Sequence, residues 1–151
     1  MLEALLCLSL NIYFEARSEP IQGQIAVAEV TLNRVASNKF PDTICEVVLQ
    51  ENKTGCQFSW WCDGKSDQPK ESNSFQTAKA LAKLMIEEGE YISVVGKEAT
   101  HYHTEDINPY WKDDYSTITQ VGKHIFYKNI EIKPLPRPQI PLFYGEGEHY
   151  E

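Results

Sequence analysis

Two apolar stretches, Leu2–Ile12 and Ile25–Val35, flank a short turn that carries Pro20, and a carboxylate, Glu15, closes the first of them. In the first stretch Leu2, Leu5, Leu6, Leu8 and Ile12 fall on or near one helical stripe. Glu15 follows Ile12 by three positions and Leu8 by seven, so it shares that face and points inward rather than to water. Pro20 suits the first turn of a second helix, which runs to about Ser37. There Ile25, Ala26, Ala28, Val30, Leu32 and Val35 mix two apolar faces, and a helix apolar nearly all round belongs at the centre of a domain. Whatever this chain builds must be built around that pair.

An inward-facing carboxyl at such a junction loses hydration. That raises its pKa and lets it hold a proton near neutral pH. A protonated carboxylic acid beside a cleft is what cleavage of a glycosidic bond requires. The plainer role for Glu15 is an ion pair with Arg17 or Arg34. Glu19 is the rival acid, but it lies at the start of the second helix, where the helix dipole favours the anion. An anion is a poor proton donor, so capping or positioning is its expected role, with a second-carboxylate role as the alternative.

Further along, Thr43–Gln50 reads as a short helix capped by Asp42 or Thr43. Residues 55–64 read as an extended excursion rich in aromatics. A long helix begins at Ser72 or Asn73, carries Ala78, Leu81, Ala82, Met85 and Ile86 inward, and stops at Gly89. Ala99–Thr104, Thr117–Val121 and His124–Tyr127 read as short strands. Beyond Lys133 four prolines, Pro134, Pro136, Pro138 and Pro141, exclude helix and sheet interior. The expected organisation is one domain over 1–133 and an extended Pro-rich tail over 134–151.

A chain of 151 residues can bury a real core. Its net charge of −8 argues against a nucleic-acid face. No apolar run approaches the ~20 residues a membrane-spanning helix needs. The N-terminal stretch carries Glu3, lacks a basic leader region and runs straight into Glu15, so it is read as a core helix rather than a signal peptide. Cys7 is expected to be a small buried hydrophobe. Cys45, Cys56 and Cys62 allow one disulfide in an oxidising compartment, with pairing left open.

On a strand, His101 and His103 share one face and Tyr102 takes the other. They are candidates for a cleft wall that binds sugar hydroxyls or supports Glu15, against a purely structural role. A zinc site would need His124 as third ligand; no metal and no cofactor is expected. Trp60 and Trp111 offer flat faces for a sugar ring or for the core, and adjacent Trp60 and Trp61 on a strand would point opposite ways. Gln24 and Ser59 are polar residues in apolar runs, able to bond substrate, Glu15 or backbone.

Several of these segments together carry a resemblance. Glu15-Ala-Arg-Ser-Glu19, Gly23-Gln-Ile-Ala-Val-Ala28, Leu32-Asn-Arg-Val35, Phe40-Pro41, Cys45-Glu-Val-Val48, Cys56-Gln-Phe-Ser59, His101-Tyr-His103 and Gly122-Lys-His-Ile-Phe-Tyr127 resemble, in order, the cell wall hydrolases of the SleB/CwlJ type. That group includes spore-cortex-lytic enzymes and related bacterial and phage lysins. Ser18 stands where glycine is common in the motif. The resemblance implies an α+β, lysozyme-like or lytic-transglycosylase-like fold, mainly helical with a small antiparallel sheet. It implies peptidoglycan glycan strands as substrate, Glu15 as the essential acid, and cleavage between N-acetylmuramic acid and N-acetylglucosamine.

Ordinary glycosidases use two carboxylates, and one compelling carboxylate suits a lytic transglycosylase instead. The alternatives are a hydrolytic muramidase helped by Glu19, Glu29 or a loop Asp, a non-catalytic wall-binding module, and a zinc amidase. The expected site is Glu15 as catalyst, with Gln24, Ser59, Trp60, His101, Tyr102, His103, Trp111 and His124 binding substrate. A chain of this kind, without a leader, is expected to be made in the cytoplasm and to act on the wall after release, as a phage-like lysin would. Oligomeric state is not readable.

Overall fold

The computed structural model describes residues 2–130; the Pro-rich segment 134–151 and the end of the expected domain lie outside them. Helix α1 (Leu2–Ala16) and helix α2 (Ile21–Ala36) form as their periodicity predicts. Helix α3 (Ile44–Val48) is capped by Thr43, whose hydroxyl accepts from the Glu46 N–H. A two-residue hairpin, β1 (Glu51–Asn52) and β2 (Gly55–Cys56), then leads into a 3₁₀ turn at Ser59–Trp61. Helix α4 (Ser72–Glu88) starts without a side-chain cap and runs into a second 3₁₀ turn at Gly89–Tyr91. Strands β3 (Ala99–Thr104), β4 (Tyr115–Val121) and β5 (His124–Asn129) form an antiparallel sheet in the order β3-β5-β4.

Helix α2 is the axis of the molecule. On one side Ala28 packs with Leu8, Ile12 and Tyr13 of α1 and with Ala78, Leu81, Ala82 and Met85 of α4. On another, Ala26, Val27 and Val30 pack with Ala99 and the fully buried Phe126 of the sheet. A third cluster joins Cys7 to Val47, Val48, Phe58 and Trp60. An apolar face on two sides of one helix is thereby used on both sides.

The polar residues of α2 are equally committed. Glu29 accepts the Val94 and Val95 N–H groups at 2.9 and 2.8 Å. The Asn33 amide donates to the Gly96 and Ala99 carbonyls, both at 2.8 Å, and Arg34 Nε donates to the Thr100 carbonyl at 2.8 Å. Spaced along adjoining turns of α2, these three side chains satisfy the backbone that leads into β3 and set where that strand lies.

Three expectations are corrected. Residues 59–61 form a 3₁₀ turn rather than a strand, so Trp60 turns inward and Trp61 outward through helical rather than pleated geometry. Cys7 is not a lone hydrophobe: it is bonded to Cys45, and Cys56 is bonded to Cys62. Glu19 does not cap α2, whose N-cap is Pro20 with no side-chain bond.

Candidate active site

Glu15 lies in the last turn of α1, partly buried, and Tyr102 reaches it from β3. The Tyr102 hydroxyl donates to Glu15 Oε1 at 2.5 Å. Burial pushes the Glu15 carboxyl above its ordinary pKa, while the Tyr102 bond and the Arg34 charge pull it back. Burial also holds the Tyr102 hydroxyl protonated, well above its usual range, and the neighbouring Glu15 charge adds to this. The carboxyl is thus poised between two states by opposing causes, and one of its oxygens is held by a fixed donor.

Arg34 stands behind the pair. Its guanidinium lies over the rings of Phe40 and Phe58, 4.9 and 5.3 Å from their centroids, and Nη1 donates to Gln57 Oε1 at 3.2 Å. Arg17 is turned away, paired with Glu71. Of the two arginines weighed as partners for Glu15, Arg34 is the one whose charge acts on it.

Tyr102 is framed by Phe58, Phe126 and His124, the last edge-on with centroids 5.1 Å apart. His124 is held in turn by Glu19: their Nδ1 and Oε1 lie 3.1 Å apart, and the same oxygen accepts the Lys123 N–H at 2.7 Å. Burial lowers the His124 pKa against the raising influence of Glu19. Glu19 therefore positions His124, which packs on Tyr102, which binds Glu15.

The other expected residues divide. His101 and His103 do share a face, opposite Tyr102. His101 is stacked near Tyr115 and Trp111, and burial together with the Arg34 charge lowers its pKa to about 4, so it is neutral at pH 7. His103 is corrected to a structural role, being buried with Nε2 on the Tyr127 hydroxyl and Nδ1 on the Thr104 carbonyl, both at 2.7 Å. Trp60 is likewise corrected: it is 5% exposed, stacked on Phe14, with its N–H donated to Asn11, so no ring face is open to a sugar. Gln24 is buried and donates to the Glu19 carbonyl at 3.1 Å, while its Oε1 has no partner among the described residues. Ser59 is exposed at the start of the 3₁₀ turn. Trp111 packs edge-on to Tyr115 and Tyr127 beside His101.

Glu29, weighed above as a helper carboxylate, is corrected by its two backbone bonds, which take it out of the site. Asn11 was not expected to organise it, and Arg34 was expected only as an ion-pair partner of Glu15. Their signal was there as polar side chains inside apolar helices, since a buried polar group must find a partner. Here the partners are Trp60 and Thr31 for Asn11, and Thr100 and Gln57 for Arg34.

The fold and this junction of acid, tyrosine and arginine define the class: the chain belongs to the cell wall hydrolase family, which it matches over residues 18–127. It resembles the spore cortex-lytic enzyme of Bacillus cereus, with 32% identity over 117 residues that cover 78% of this chain and 41% of the relative. It also resembles that of Bacillus subtilis, with 32% identity over 118 residues covering 76% and 34% respectively. The chain thus spans well under half the length of these relatives. Among solved structures it is similar to the catalytic domain of the germination-specific lytic transglycosylase SleB from Bacillus anthracis (TM-score 0.68, 32% identity, 85% of this chain and 96% of that one). The SleB catalytic domain of Bacillus cereus gives a TM-score of 0.63 at 33% identity, covering 83% and 91%. The lysozyme-like α+β architecture expected from the sequence is the one found.

Proposed function

We propose that this chain cleaves the β-1,4 bond between N-acetylmuramic acid and N-acetylglucosamine in peptidoglycan, as a lytic transglycosylase with Glu15 as its one acid and base. The observation that carries this is the Glu15–Tyr102 pair under Arg34, to which no second carboxylate is joined among the described residues: Glu19 is engaged by Lys123 and His124, and Glu29 by Val94 and Val95. A similar structure described as a lytic transglycosylase supports it.

In this scheme Glu15, protonated through burial, gives its proton to the leaving glycosidic oxygen. The resulting carboxylate is stabilised by the Tyr102 hydroxyl and the Arg34 charge. It then takes the proton of the muramyl C6 hydroxyl as that oxygen closes on C1, which leaves a 1,6-anhydro end and returns Glu15 to its starting state. Trp111 and His101 offer surface for the glycan, with the exposed Ser59 as a polar contact. The two disulfides favour action in an oxidising place such as the envelope.

The test is digestion of purified peptidoglycan followed by mass spectrometry, with Glu15→Gln beside the native chain. Products lighter than reducing muropeptides by one water, and a rate about 10²–10⁴-fold lower for Glu15→Gln, are expected. Ordinary reducing muramic ends would turn the assignment to a muramidase. Cut peptide stems on intact glycan, or lysis that survives Glu15→Gln, would overturn it.

A further inference from the structure

The Cys56–Cys62 bond closes a short loop that leads from the β1–β2 hairpin through the 3₁₀ turn. Three side chains inside this loop reach the surroundings of the acid. Gln57 Oε1 accepts from Arg34 Nη1 at 3.2 Å. The buried Phe58 lies under the Arg34 guanidinium and packs on Tyr102, their ring centroids 6.4 Å apart. Trp60 donates to Asn11, which precedes Glu15 by one helical turn on the same face of α1, and stacks on Phe14 beside it. Phe58 and Trp60 are thus apolar cover for the end of α1 and for its tyrosine.

Little else ties this loop down. The hairpin before it has two residues in each strand, and residues 63–71 after it form neither helix nor strand. Its backbone bonds are local: the Gln57 N–H to the Gln50 carbonyl at 2.9 Å, Trp61 to Phe58 at 3.2 Å and Cys62 to Ser59 at 3.0 Å. A ribbon this small is marginal alone, so the covalent bond is what fastens the loop at both ends.

The two disulfides differ in access. Cys7 is buried in a core cluster with Val47 and Val48. Cys62 is exposed and Cys56 half-buried. Thiol–disulfide exchange needs a thiolate to reach a sulfur, so an external dithiol meets Cys56–Cys62 first. Its thiolate attacks the exposed Cys62 Sγ, the S–S bond breaks, and Cys56 leaves and takes up a proton. The second thiol of the reagent then closes on the mixed disulfide and releases Cys62 as a thiol. Two electrons and two protons pass from the dithiol to the pair.

We propose that the Cys56–Cys62 bond is a redox-controlled positioning element: closed, it holds the Gln57–Trp60 segment over the acid; opened by a dithiol, it frees that cover and slows the enzyme. The effect on rate rests on the glycan-cleaving reading above. The direction follows from what the loop supplies. Among the described residues, the charged and titratable groups that bear on Glu15 are Tyr102 from β3 and Arg34 from α2. Both stay in place when the loop opens, since Arg34 remains bonded to the Thr100 carbonyl. What is lost is burial, the largest cause of the raised Glu15 pKa. Water admitted to the site lowers that pKa, and less of the acid is protonated at neutral pH. The chain would thus reach full activity only where thiols are oxidised.

The experiment treats the full chain with dithiothreitol without denaturant. Alkylation with mass spectrometry reads which cysteines open, a pH–rate profile on purified peptidoglycan reads activity, and a ¹³C NMR titration reads the Glu15 carboxyl. The Cys56→Ser, Cys62→Ser variant mimics the open form, and the Cys7→Ser, Cys45→Ser variant keeps the switch. Cys56 and Cys62 should alkylate before Cys7 and Cys45. The rate at neutral pH should fall about tenfold on reduction, and recover toward acid pH as the high-pH limb moves to lower pH. The Cys7→Ser, Cys45→Ser variant should respond to dithiol by a similar factor, and the Cys56→Ser, Cys62→Ser variant should not respond. A rate and limb unchanged by reduction would overturn the proposal, as would a loss equal at every pH, which marks general unfolding. A Glu15 titration identical in both redox states overturns it whether or not glycan is cut. A titration that moves on reduction, in a chain that cuts no glycan, counts against the cleavage reading and not against the switch.

Discussion

The Tyr102 hydroxyl donates to Glu15 Oε1 at 2.5 Å, across 87 positions of sequence. This bond joins the end of α1 to the edge strand of the sheet and sets the state of the acid. Burial favours the protonated carboxyl; Tyr102 first and Arg34 second favour the carboxylate. An acid that must both donate and recover a proton in one cycle gains from such a balance.

Replacing Tyr102 with Phe removes the stronger of the two groups that lower the Glu15 pKa, so that pKa climbs further. Because the reaction begins from protonated Glu15, the rate falls as pH rises through this pKa. The high-pH limb of the profile should therefore move to higher pH in Tyr102→Phe. Maximal rate should drop about tenfold or more as the carboxyl loses its fixed partner. A pH–rate profile on purified peptidoglycan checks both, and a limb that stays put or moves to lower pH would remove Tyr102 from this role.

Gly122 turns the β4–β5 hairpin at φ +58°, and a Cβ there would sit 2.5 Å from Glu19 Oε1. Gly122→Ala meets both a left-handed backbone and the carboxylate that holds Lys123 and His124. A stability loss of about 1–3 kcal/mol is expected by denaturant unfolding. Since Glu19 raises the His124 pKa, displacing it should lower that pKa further, which an NMR titration of the imidazole reads directly.

The Cys7–Cys45 bond spans 38 positions and ties α1 to α3. On loop-closure entropy it contributes up to ~4 kcal/mol, against ~2 kcal/mol for the six-position Cys56–Cys62 bond. The Cys7→Ser, Cys45→Ser double variant should therefore unfold at clearly lower denaturant than the Cys56→Ser, Cys62→Ser pair. Equal midpoints for the two would show that the longer bond does not restrain the unfolded chain.

Much of the frame was legible from pattern. Helices α1, α2 and α4 follow the 3.6-residue spacing of Leu8 and Ile12, of Ala26 and Val30, and of Ala78, Leu81, Ala82 and Met85. Strand β3 was readable to its ends because Ala99–Thr104 is bounded by turn residues. The β1–β2 hairpin was not, because two-residue strands carry no periodicity. Nor was the 3₁₀ turn at Ser59–Trp61, where adjacent aromatics suit a strand equally well. The burial of Trp60 depends on Asn11, 49 positions away, and no local signal reveals that.

The sequence by itself determined that a carboxylate ends an apolar helix, that a second apolar helix follows it, and that His101 and His103 share a strand face opposite Tyr102. These are consequences of period and adjacency, which the chain carries locally. Only the tertiary structure decided which arginine stands by Glu15, that Tyr102 holds it, that Glu19 and Glu29 are engaged elsewhere, and that Cys7 finds Cys45. Each of those is a choice among chemically equivalent partners. The packing of α2 between α1 and the sheet makes it, by fixing which polar groups meet where water is excluded.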